Sequence, residues 1–194
     1  MKNNQSGRSM VEMLGVLAII GVLSAGGLAG YSKAMFKHKL NSTMDQITML
    51  VTNIRTMYGT QGNYAGLKGE SAINLGIVPA VMGSTSAGLT NPFKGGVAIA
   101  RFSATGGTDT TTGFTLTYSG LPTEACIALA SADFGSGAGS GFIGVTAGKG
   151  SKRTANKIGE SGKTEGKAYE MDDAITDCSD SSVKDKASIT WYFY

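Results

Sequence analysis

Gly7-Arg8-Ser9-Met10-Val11-Glu12 leads without a break into Met13-Leu-Gly-Val-Leu-Ala-Ile-Ile-Gly-Val-Leu23. A short polar leader ends in glycine, and one acid stands at the mouth of an apolar run. A carboxylate in such a setting is costly unless something neutralises it, so Glu12 calls for a function. From Met13 to Tyr31 the chain carries no charge, 19 residues in all. As a helix they span about 28 Å, close to one hydrocarbon thickness. Lys2 and Arg8 precede the run, which keeps that end cytoplasmic under the positive-inside rule.

The pattern then changes with no loop signal between. Leu40, Met44, Ile47, Val51, Ile54 and Tyr58 recur at steps of four and three, a helical stripe. Lys37, Lys39, Asp45, Gln46 and Arg55 supply polar positions off it. No proline falls between Arg8 and Tyr58, and Gly59 follows as a stop. The spacing predicts one helix over residues 8–58, about 75 Å long. Its first part, 8–31, is apolar all round and belongs in lipid or among copies of itself. Its second part, 32–58, is amphipathic and belongs on a globular head. Gly15, Gly21, Gly26, Gly27 and Gly30 punctuate the apolar part, each costing about 1 kcal/mol of helix propensity relative to alanine. Close approach between helices offsets that cost, and a weak patch at Gly26-Gly27 that unwinds under packing constraints is a second use.

Residues 59–194 read as an α+β head. Val97-Ala-Ile-Ala-Arg-Phe102 and Phe114-Thr-Leu-Thr-Tyr118 alternate as half-buried strands do, with Thr105 to Thr112 joining them. Pro122 to Ala130 is a short helix with proline at its start and Glu124 in its first turn. Phe142 to Val145 and Ala187 to Tyr194 are two further strands. An antiparallel sheet lying on the helix stripe follows. Cys126 and Cys178 both lie beyond the apolar run. If that run places the head outside the cytoplasm, the two can form a disulfide; two buried free thiols are the alternative. Closing a loop of that size is worth roughly 4 kcal/mol on chain-entropy grounds.

Gly7 to Leu14, followed by Val16 to Leu23, resembles the start of the type IV pilins and the related pseudopilins. The resemblance implies that a prepilin peptidase cuts between Gly7 and Arg8, leaving 1–7 as a leader, and methylates the new terminus at Arg8. It implies that Glu12 is the family's assembly glutamate, and that Cys126 and Cys178 are the pair closing the family's C-terminal region. The first mature residue, usually apolar in the family, is Arg8 here. Asn91-Pro-Phe-Lys-Gly-Gly96 and Gly120-Leu-Pro-Thr-Glu-Ala-Cys126 resemble the type IVb branch. The implied partners are other copies of the chain, the peptidase, the pilus assembly machinery and the inner membrane before assembly. The implied destination is an extracellular filament, with cell adhesion among its roles.

The physical reading runs alongside. Cleavage at Gly7 would free an α-amine at Arg8, and a neighbouring copy's amine could neutralise Glu12 only in the assembly. A secretory signal cut near Ser24-Ala25-Gly26 is one alternative, but the helical pattern continues past that cut. A single-pass anchor carrying a binding domain is another, but it leaves Glu12 without a role. A minor pilin or secretion pseudopilin also fits the residues.

Other chemistry is disfavoured. A net charge of +3 over 194 residues is too small to argue for nucleic acid. His38 is the sole histidine, with no cysteine near it, so neither a catalytic nor a metal site is expected. Gly139-Ser-Gly-Phe-Ile-Gly144 matches a dinucleotide fingerprint only as text. Asp172, Asp173, Asp177 and Asp180 lack calcium-loop spacing. No cofactor is expected. The acids from Glu170 to Asp180 and the bases from Lys149 to Lys167 read as solvated charge or as complementary faces on neighbouring copies.

Overall fold

The computed structural model describes residues 10–83, 88–104, 111–135, 140–150 and 169–194, together with the backbone of 153–154. The chain divides into two units, Met1–Lys39 and Leu40–Tyr194. One helix, α1 (Met10–Tyr58), contributes to both. Within the second unit it buries Thr43, Ile47, Leu50, Ile54 and Tyr58. Leu40, Met44 and Val51 pack only partly against the core. Ile47, Ile54 and Tyr58 of the predicted stripe are buried, and Thr43 and Leu50 are buried where the stripe has Met44 and Val51 one position further on. A helix facing a sheet covers a broad apolar sector, and the middle of that sector need not coincide with the longest run of regular steps.

Against that line lies a six-stranded antiparallel sheet in the order β1-β2-β3-β6-β4-β5. The strands are β1 (Leu89–Thr90), β2 (Gly96–Phe102), β3 (Gly113–Leu121), β4 (Phe142–Ala147), β5 (Arg153–Thr154) and β6 (Ala187–Phe193). Alternation sets the faces. Val97 and Ile99, then Phe114, Leu116 and Tyr118, then Ile189, Trp191 and Phe193 turn inward. On the other face Thr117 and Thr190 stand opposite one another and share a 2.8 Å hydrogen bond. β6, the last strand in sequence, sits in the middle between β3 and β4. Trp191, Tyr118, Phe114, Phe142 and Phe193 are the largest fully buried side chains, and Tyr118 meets Trp191 edge-on at 5.6 Å.

The turn before β2 is stapled by one amide. Asn91 is buried and its Oδ1 accepts from the backbone N–H of Phe93 and of Gly95, while its Nδ2 donates to the Ser119 carbonyl. Gly95 has to be glycine, because a Cβ there would collide with that carbonyl. Gly120 lies opposite with φ +68° in the irregular part of β3, where pairing with β6 shifts between Tyr118 and Leu121.

Three short α-helices stand among the described residues of the head. α2 (Gly69–Asn74) packs on β2, α3 (Thr123–Ala130) packs on β6, and α4 (Met171–Cys178) packs on α3 and β4. α4 was not legible in its run of acids. Ala174 and Cys178, four apart and both buried, are the only inward positions it has. Gly139 to Gly144 ends inside β4, so the glycine pattern belongs to a strand, with Gly139 itself outside the described residues. The joining segment from 105 to 110 is also outside them.

Candidate functional site

Residues 10–31 show an apolar surface that no described residue covers. Val11 is 76% exposed, Leu17 61%, Ile19 63% and Leu23 69%. An 18-residue window here has a mean hydropathy of 2.1 and no buried share, so by length and composition the helix can cross a membrane. Solvent-exposed helices are not built this way; the cost of hydrating such a surface has to be met by lipid or by protein outside the chain.

The glycines point the same way. A Cβ added at Gly15, Gly21, Gly26, Gly27 or Gly30 would meet nothing within 4 Å. No contact among the described residues therefore requires them, although each weakens the helix. At 100° per residue, Glu12, Gly15, Gly26 and Gly30 fall within a sector of about 60°. The acid and three glycines share one side of the helix, where another helix backbone can come close to the carboxylate. Glu12 is exposed and opens the first turn. Gly7 and Arg8 lie outside the described residues.

The head is closed on itself by covalent and polar ties. Cys126 on α3 and Cys178 on α4 are bonded, with Cα atoms 5.9 Å apart, and both are fully buried. Next to Cys178, Asp177 accepts a 3.0 Å hydrogen bond from the Tyr169 hydroxyl, and its carbonyl accepts from the Lys149 N–H. Lys149 Nζ reaches Asp180 at 3.2 Å. Hydrogen bonds from Ser182 and then from Lys149 hold the Asp180 carboxyl down at about 2. One member of the basic stretch is thus spent on the acidic stretch of the same chain. Lys152, Lys157, Lys163, Lys167 and the side chain of Arg153 lie outside the described residues.

Arg55 departs from the expected solvent-facing position. Its guanidinium lies over the Phe193 ring at 5.5 Å and donates to the Tyr194 carbonyl at 3.4 Å. Burial pushes the Tyr64 phenol up, and the Arg55 charge beside it offsets part of that. The end of α1 is thereby tied to the end of the central strand. Spacing alone assigns Arg55 to the polar side; a basic residue in a helix's last turn was the one available signal.

Among the described residues no group of three or more His, Cys, Asp or Glu is placed to hold a metal ion. What the arrangement offers is adhesion of surfaces. A bare apolar helix leading into a helix-on-sheet head with a buried disulfide is the architecture of a type IV pilin. The fold matches the crystal structure of the type IVb pilin from Salmonella typhi, with a TM-score of 0.50 and 19% identity over 78% of this chain and 97% of that one. The bundlin family profile matches residues 33–194, and the chain belongs to that family. Major structural subunits of the bundle-forming pilus from Escherichia coli O127:H6 (strain E2348/69 / EPEC) and O111:H- are each 27% identical over 138 residues, covering 71% of this chain and 69% of theirs.

Proposed function

We propose that this chain is the structural subunit of an extracellular filament of the bundle-forming type, polymerised through its N-terminal helix with residues 8–31 in the filament core. The observation that carries the reading is the exposed apolar helix whose glycines serve no contact among the described residues. The relatives named as major pilus subunits support it. In this account the precursor sits in the inner membrane by its apolar helix, and a prepilin peptidase removes residues 1–7. The freed α-amine of Arg8 in one copy then pairs with Glu12 of another, and the assembly machinery draws the subunit from lipid into the filament. The pairing offsets the cost of burying the carboxylate and fixes the axial register. The domains follow: leader 1–7, helix 8–58, head 59–194. Catalysis has no part in this function.

N-terminal sequencing of filament-derived protein tests the reading. It should begin at Arg8, with the amine methylated. A start near Gly26, or an intact Met1 in surface material, would overturn it.

A further inference from the structure

We infer that the turns of α1 just past the apolar span are a docking collar for anionic phospholipid headgroups, in the leaflet on the head side of the membrane. The collar rests on the membrane-bound precursor of the filament reading and names the lipid contact which that reading leaves open.

The charge-free run from Met13 ends at Tyr31, whose side chain is 64% exposed. Aromatic rings with a polar tip favour the boundary between hydrocarbon and headgroups. Ser32 follows, its hydroxyl donating back to the Leu28 carbonyl at 3.0 Å. Lys33, Lys37, His38 and Lys39 come next on the same unbroken helix. Lys33, Lys37 and His38 are exposed, and Lys39 is half-buried. No acid occurs between Glu12 and Asp45. Neither Lys33 nor Lys37 therefore has one three or four residues away, where a helix brings side chains together.

From Lys33 to Lys39 the helix rises about 9 Å, comparable to the depth of one headgroup layer. At 100° per residue, Lys37 lies about 40° from Lys33, His38 about 140°, and Lys39 about 120° the other way. The bases surround the helix rather than mark one side of it. A single protein face would meet only part of such a ring. A leaflet encloses the helix and meets all of it. Lysine stems can run along the hydrocarbon boundary while their ammonium groups reach phosphate oxygens. Each lysine near an anionic surface adds about fivefold to binding, and salt screens the effect. The collar thus sets how deep the subunit sits before it is drawn into the filament.

Lipid retention by the full-length chain tests this. The chain is reconstituted in vesicles of equal parts phosphatidylglycerol and phosphatidylcholine, and the lipids that stay bound are counted by native mass spectrometry. The wild type should retain phosphatidylglycerol over phosphatidylcholine by at least about fivefold at low salt. Lys33→Gln with Lys37→Gln should remove most of that preference, and Lys33→Arg with Lys37→Arg should keep it. Excess glycerol phosphate should not displace the bound lipid. Equal retention of the two lipids by the wild type would overturn the collar, as would an undiminished preference in the glutamine variant. Displacement by glycerol phosphate would show a site for free phosphate and overturn the assignment to lipid. Failure of the membrane reading itself would appear differently: the chain would not float with vesicles of phosphatidylcholine alone.

Discussion

Residues 10–39 and the head from residue 40 onward follow opposite rules. In the head the largest apolar side chains are hidden, with Trp191, Tyr118, Phe114 and Phe193 essentially without exposed surface, and only scattered ones such as Val81 and Met171 are exposed. Its polar ties close within the chain, and a disulfide locks two of its helices. On the helix from 10 to 31 the apolar side chains are all exposed, and its glycines meet no neighbour among the described residues. One region satisfies its physics alone. The other has its physics satisfied by something else. A sequence change should therefore affect either folding or assembly, depending on which side of Lys39 it falls.

The largest expected effect separates the two outright. Glu12→Ala should abolish filaments, or nearly so, while the full chain in detergent keeps the wild-type unfolding midpoint of its head. Electron microscopy of surface material beside a melting curve checks both halves. Normal filaments would remove the role assigned to the carboxylate. Trp191→Ala should do the converse, costing about 3–5 kcal/mol of head stability because the central strand loses its largest buried side chain. Denaturant unfolding measures that loss.

Replacing Cys126 and Cys178 together with serine should cost about 2–4 kcal/mol, from a closed loop with a sequence separation of 52. The same denaturation experiment reads it, and the helicity of residues 10–39 should not change. Gly26→Ala tests the comparison from the other side. Alanine should strengthen the helix by about 1 kcal/mol, because nothing in the chain opposes a Cβ there. If a neighbouring copy packs against Gly26, as proposed, filament yield should nevertheless fall. Higher helicity with undiminished filaments would mean that Gly26 has no packing role.

The smallest effect concerns a buried hydroxyl. Burial drives the Tyr118 phenol well above its ordinary range, and the hydroxyl has no hydrogen-bond partner among the described residues. Tyr118→Phe should change stability by less than about 1 kcal/mol, or raise it, because an unsatisfied donor is removed without loss of packing. A loss above about 2 kcal/mol in thermal unfolding would point to a partner for that hydroxyl.

Much of this fold is legible in the chain because its signals are local. A charge-free run, a stripe of threes and fours, two alternating strands and a proline before a short helix each need only a few neighbouring residues. What escaped depends on distant partners. α4 presents three acids and only two buried residues, so its helical character comes from Ala174 and Cys178 meeting α3 and β4. β1 is two residues long and exists because Leu89 and Thr90 find β2. Arg55 is held by Phe193 and Tyr194, far away in sequence. Asn91 stood out only as part of a motif; the Ser119 carbonyl it holds explains the motif. For the assembly site, Glu12 and the glycines can be read directly, because their oddity is intrinsic to an apolar run.

A near-atomic map of purified filaments at the N-terminal helices tests the central claim most directly. The Glu12 carboxylate of each subunit should lie within about 4 Å of the Arg8 α-amine of a neighbour, with no residue before Arg8. A Glu12 with no cation from another copy beside it, or density for the leader, would contradict the account.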